Sequence, residues 1–131
     1  MDRYPKRESH FAHKACRLAA KSCLAQQTSP TAALLFHHIA LTEDARRYRG
    51  PVTFYTAQLL PILGVAKWKT LAAARESLVA AGWLHYQQGE PHQPGIYWVI
   101  VPADAAADDS PADEGAWPLE GYDRGHQEGY A

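Results

Sequence analysis

Apolar positions recur along this chain at two periods, and the switches between them mark its elements. From Lys6 to about Gln27 there are few breakers. Phe11, Ala15, Leu18, Ala19 and Ser22 fall at helical spacing, which predicts an amphipathic helix with a basic outer face. Thr28-Ser29-Pro30 then supplies a capping residue and a proline, which is tolerated at the first helical position. A second helix is predicted from there to about Arg47, with Leu34, Leu35, His38, Ile39 and Leu41 on its buried side. "GPVTF" pairs turn residues with β-branched and aromatic ones, so residues 52–54 suit a short strand. Thr56 is placed to cap a brief helix through Leu63. Pro61 inside it removes a backbone hydrogen bond, at ~3 kcal/mol in a helix interior, so that helix should be short or bent. Gly64 closes it with the residue best able to adopt a positive φ.

Leu71, Ala74, Leu78 and Ala81 follow at spacings of three, four and three, which stack on one helical face, and Gly82 ends that helix. "WLHYQQ" and "IYWVIV" are strand-like runs separated by "GEPHQPG". Two glycines and two prolines in seven residues can continue neither a helix nor a strand, so the pair is expected to form a hairpin with a rigid loop. From residue 102 the chain turns to "PADAAADDSPADEG", poor in large apolar residues and rich in acid, which predicts a disordered acidic tail. The expected organisation is a basic amphipathic helix over 1–28, a domain over 29–101 and the tail over 102–131. The fold class is mainly α with a small β-hairpin.

Composition adds little until the charges are placed. With 131 residues, 47% of them hydrophobic, the chain has room for one modest core. Its net charge of -1 hides a segregation. Residues 1–30 carry six Lys/Arg against two acids, residues 31–101 six against four, and residues 102–131 one Arg against eight acids. The predicted folded part is mildly basic and the tail strongly acidic. Cys16 and Cys23 lie about two helical turns apart, too far for a disulfide in one straight helix, and are expected as free thiols in a reducing compartment. No run approaches the ~20 apolar residues of a membrane span, and "MDRYPKRESH" lacks the apolar core of a signal peptide, so a cytoplasmic location and no membrane partner are expected.

Candidate chemistry is sparse. His10 and His13 have a helical ligand spacing, but with Cys16 and Cys23 they drift around the helix, so they are read as surface or packing residues and no metal is expected. His37 and His38 are adjacent, hence ~100° apart on a helix, and are read as core-edge residues. No nucleophile motif or glycine-rich phosphate loop is visible, and acids in a disordered tail cannot preorganise a site. No enzyme activity, cofactor or small-molecule substrate is expected.

The order helix, short strand, short helix, turn, longer helix, strand, loop, strand resembles the winged helix-turn-helix DNA-binding domains of bacterial regulators and of phage and plasmid replication proteins, over about residues 29–101. "TAQLLPILGV" looks like the first helix and turn of the helix-turn-helix, and "KTLAAARESLVAAGWLHY" is similar to the recognition helix running through Ala-Gly and a large apolar residue into the wing. Gly64 and Gly82 stand 18 apart, one residue wider than the common family spacing, which implies an extra residue in the turn "GVAKW". The resemblance implies duplex DNA as partner, a role in transcription or replication, and a dimer, for which the N-terminal helix with its unassigned apolar stripe is the candidate element.

Opposite the buried stripe lie Lys69, Ala72, Ala73 and Glu76, a face without the Arg, Asn or Gln side chains that read base edges in pairs of hydrogen bonds. Lys67, Lys69 and Arg75 can neutralise phosphates, and Trp68, Thr70 and Ala73 stand beside them, so these six are the candidate DNA contacts. Backbone-dominated, salt-sensitive binding with weak sequence preference follows. "QQGEPHQPG" offers the wing no Lys or Arg. The competing reading is a winged-helix module that binds protein, which would show an apolar patch around Trp68. Trp68 and Trp98 are read as packing residues, with partner anchors as the alternative. The acidic tail is read either as a solvated extension or as a competitor with nucleic acid for the basic face.

Overall fold

The computed structural model describes residues 3–107; the bulk of the acidic segment, and the expectation of disorder placed on it, lies outside those residues. Six helices and a three-stranded antiparallel sheet make a mixed α/β architecture among the described residues. They follow the order α1 (Phe11–Lys21), α2 (Leu24–Gln27), α3 (Pro30–Ala45), β1 (Val52–Phe54), α4 (Thr56–Leu63), α5 (Trp68–Ala80), β2 (Leu84–Gln87), β3 (Gly95–Val99) and α6 (Ala103–Ala107).

The single helix expected over residues 6–27 is two. Cys23 adopts a left-handed φ of +56°, which interrupts the hydrogen-bond ladder and turns the chain so that Leu24, at the start of α2, is buried. The apolar stripe of α1 is not free for a second copy. Ala12, Ala15, Leu18 and Ala19 belong to the same cluster as Phe36 of α3, Leu71 and Leu78 of α5 and Tyr97 of β3, so the N-terminal helix and the rest of the fold share one core. That removes the physical motive for a dimer through α1. The N-terminus of α1 is held by Tyr48, whose hydroxyl accepts from the Ala12 N–H at 2.9 Å and donates to Asp44 Oδ1 at 2.9 Å. Arg47 and Tyr48 both sit at positive φ (+56° and +55°), the backbone reversal that brings this hydroxyl back over α1.

The α3 helix starts as its sequence dictates, with Ser29 Oγ accepting from the Ala32 N–H at 3.0 Å and Pro30 at the first position. Its buried side differs from the expected one. Ala32, Leu35, Phe36, Ile39, Ala40 and Glu43 are buried, whereas Leu34 and Leu41 are 47% and 60% exposed. The run Ala32–Leu41 is apolar nearly all round, so periodicity cannot choose its face.

Only the neighbouring elements choose, and they enclose Glu43. Glu43 Oε1 accepts from Tyr4 Oη at 2.6 Å and from Arg7 Nη2 at 3.2 Å, while Oε2 accepts from the Val99 N–H at 2.8 Å. Arg7 Nη2 also donates to Val99 O at 2.6 Å. Desolvation raises the Glu43 carboxyl above its ordinary range against the opposing pull of these donors. Burial and the hydrogen bond to Glu43 push Tyr4 up to about 12.

The β1 strand does not stand apart from the hairpin. It pairs with β3 (Val52 opposite Tyr97), and β3 pairs with β2 (Leu84 opposite Val99), giving the order β1-β3-β2. Trp83 lies beneath the hairpin, 2% exposed, its ring edge-on to Phe36 at 5.6 Å and its Nε1 donating to Gln27 Oε1 at 3.1 Å. Pro102 and the short α6 follow β3, so residues 103–107 of the expected disordered tail are helical. No helix among the described residues is long and apolar enough to cross a membrane.

Candidate nucleic-acid interface

The α4–α5 pair presents the candidate residues. Gln58 Oε1 accepts from the Tyr55 N–H at 2.7 Å and secures the start of α4. Pro61 is accommodated within α4, which stops at Gly64 with φ +69°. Residues 64–67 form the turn, and α5 begins with Lys67 at its cap, extended in backbone and making no side-chain cap. The first turn of α5 contains no acid. Its leading N–H groups and the positive end of its dipole are therefore not neutralised by its own sequence.

At ~100° per residue the helix divides into three faces. Leu71, Ala74 and Leu78 are buried, and Ala81 just beyond is half-buried. Lys69, Thr70 and Ala73 are exposed, and Lys67 is exposed beside them. Trp68, Ala72, Arg75, Glu76 and Val79 border a groove of about 1060 Å³ on the remaining side. The structure thus gathers Lys67, Lys69, Thr70 and Ala73 on one outward surface and turns Trp68 and Arg75 away from it. Among the described residues, no carboxylate stands within ion-pair distance of Lys67 or Lys69.

Arg75 is engaged within the fold. Its Nη1 donates to Tyr97 Oη at 3.1 Å, and its guanidinium lies 4.2 Å from the Tyr86 ring centroid. The Tyr97 hydroxyl is held above its ordinary range by burial, with Arg75 pulling it down. This residue braces α5 against the sheet.

The groove itself is absent from the sequence expectations. Tyr55 at the head of α4, Trp68 and Val79 on α5, Tyr86 on β2 and the β2–β3 loop enclose it. Tyr55, Trp68 and Val79 are 48%, 62% and 45% exposed, so Trp68 is not a packing residue. The available signal was the placement of Trp68 and Val79 outside the 71/74/78 stripe. Trp98, by contrast, is 6% exposed and stacks on His85 at 3.8 Å. The β2–β3 loop is tight because a Cβ at Gly89 would collide with Pro94 O. It presents His92 at φ +66° and no Lys or Arg.

Other basic residues are dispersed. Arg46, Arg47 and Arg49 follow α3, and Arg47 lines a shallow cavity with Arg7, Ser9 and Tyr48, none of which belongs to α4 or α5. Among the described residues no three His, Cys, Asp or Glu side chains converge on a metal-sized site. Cys16 is half-buried, which raises its thiol, and Cys23 is exposed; neither is in a disulfide. His38 packs against Phe54 at 5.2 Å, and burial lowers its imidazole.

Comparison of the chain with family models, with curated proteins and with solved structures yields no match.

Proposed function

We propose that this is a winged-helix protein that binds duplex DNA, largely through the phosphate backbone, in transcription regulation or replication. The observation that carries the reading is the pairing of two exposed lysines, Lys67 and Lys69, with the uncapped start of a helix whose opposite face is buried. An α-helix fits the major groove, and free helix N–H groups with adjacent cations suit phosphate. Ala73 on the outward face allows close approach, and no side chain there reads bases in pairs. The order β1-β3-β2 with its β2–β3 loop supports the wing assignment.

The test is a mobility-shift titration with random duplex DNA at two salt concentrations. Affinity should fall steeply with salt, and Lys67→Ala/Lys69→Ala should reduce the slope of log K against log salt by about 2, one for each phosphate no longer neutralised. Unchanged affinity and slope in the double variant would reject the proposal. A second reading, a protein-binding winged helix, is favoured by the exposed Trp68, Tyr55 and Val79 along one groove. Under that reading the duplex titration shows no binding at either salt concentration.

A further inference from the structure

The groove beside α5 and the lysine face are separate surfaces. Lys67 and Lys69 do not line the groove; the Arg, Lys, Asp and Glu side chains that do are Arg75, Glu76 and Glu90. Arg75 is already engaged by the Tyr97 hydroxyl and the Tyr86 ring. Glu76 on α5 and Glu90 on the β2–β3 loop belong to different walls, both are exposed, and no cation among the described residues stands within ion-pair distance of either. The charge left unmatched in the groove is therefore negative, which repels phosphate and favours a cation.

The walls that carry these carboxylates are aromatic. Trp68 and Tyr55 are 62% and 48% exposed, and neither ring packs against another aromatic ring among the described residues. Arg75 over Tyr86, 4.2 Å from the centroid, is an internal example of the contact that such a face makes with a cation. The loop wall is preformed, since the Gly89 backbone lies against Pro94 O and Tyr55 Oη donates to His92 O at 3.4 Å, tying the head of α4 to the loop.

Size and shape select the kind of cation. From Trp68 to Val79 the groove borders α5 for roughly 16 Å at 1.5 Å per residue, the span of about five extended residues. Its volume of about 1060 Å³ exceeds the roughly 300–1,000 Å³ of small-molecule sites, and its exposed walls do not enclose a ligand as those sites do. Gln88 and Gln93 add amide donors and acceptors for a peptide backbone.

We infer that this groove binds an extended basic and apolar segment of a partner protein, with a large apolar side chain against Trp68 and Val79 and an arginine or lysine meeting Glu76 and Glu90. The inference rests on the groove of the protein-binding reading and names its partner's chemistry; it holds whether or not Lys67 and Lys69 engage DNA.

The experiment titrates the ¹⁵N-labelled full chain with three capped hexapeptides, one alternating leucine and arginine, one leucine and glutamate, one serine and arginine. The leucine-arginine peptide should shift the Trp68 indole N–H and the Ala72 and Val79 amides saturably, and the other two should bind at least about tenfold more weakly. Trp68→Ala and, separately, Glu76→Gln/Glu90→Gln replace exposed side chains and should each weaken binding about tenfold at low salt. No saturable shift at millimolar peptide overturns the inference, as does equal binding of the leucine-glutamate peptide. Binding that both variants leave unchanged also overturns it, in favour of attraction to the acids beyond residue 107. Groove shifts with benzyltrimethylammonium and none with the leucine-arginine peptide overturn it in favour of a small organic cation. In a parallel duplex titration, peptide binding without a DNA complex upholds the groove and rejects the DNA reading, and the reverse result rejects the groove alone.

Discussion

Replacing Glu43 by Ala takes the acceptor away from three donors in one step. Val99 N–H loses its partner at 2.8 Å, Tyr4 Oη loses its partner at 2.6 Å, and Arg7 loses its counter-charge at 3.2 Å. The Arg7 side chain is 6% exposed and keeps its bond to Val99 O, so the cation stays buried without a carboxylate. An orphaned buried donor costs about 1–3 kcal/mol, and breaking a buried ion pair costs about 3–5 kcal/mol. These terms overlap because they share the Arg7 and Val99 geometry, so the expected loss is about 4 kcal/mol rather than their sum.

For a domain of this size that lowers Tm by roughly 15 °C or more. Glu43→Gln keeps one acceptor and loses the charge, and should fall about midway. Urea unfolding followed by circular dichroism, with Tm from a parallel thermal scan, measures both. A loss below about 1 kcal/mol for Glu43→Ala would show that the cluster does not clamp the N-terminal segment to β3, and the reasoning about its burial would fail.

The raised Glu43 carboxyl has a definite sign in the pH dependence. Its folded value lies above the ordinary 4.5, so its contribution is fully present below that pH and is lost as pH rises through the raised value. The stability difference between wild type and Glu43→Gln should therefore move against wild type as pH rises from the ordinary 4.5 through the raised value, as read from urea midpoints at fixed ionic strength; a flat difference would contradict the burial-driven shift. Tyr97→Phe removes the hydroxyl that Arg75 holds at 3.1 Å and should cost about 1 kcal/mol, visible in the urea midpoint. Gly82→Ala forces a side chain into φ +85° with its Cβ 3.6 Å from Pro102 Cγ; the contact is ordinary but the backbone is not, so a loss of about 1–2 kcal/mol is expected from strain alone.

Elements defined by local chemistry were legible before the structure. The strand at residues 52–54, the helix ending at Gly64, the stripe Leu71, Ala74, Leu78 and the turn at Gly82 into a hairpin all correspond to observed elements. Each follows from a periodicity or a breaker acting over a few residues. The helix break at Cys23 was not legible, because a left-handed non-glycine residue carries no signature and is offset by burying Leu24. Lys69 and Ala73 could be placed outward from their phase against the buried stripe, whereas Lys67 and Thr70, four residues before Leu71 and Ala74, share its phase and are exposed at the start of the helix. Arg75 could not be placed, since its engagement depends on Tyr86 and Tyr97, 11 and 22 residues further along.

Sequence alone determined the order of elements from α3 to β3, the orientation of α5 about its own axis and the segregation of charge, because these depend on spacings within one element or on composition. Tertiary structure decided which face of α3 is buried, the union of β1 with the hairpin, the anchoring of Tyr4 and Arg7 on Glu43, and the groove beside Trp68. Each of these arises where side chains distant in sequence exclude water together, and a one-dimensional pattern carries no record of which partner will arrive.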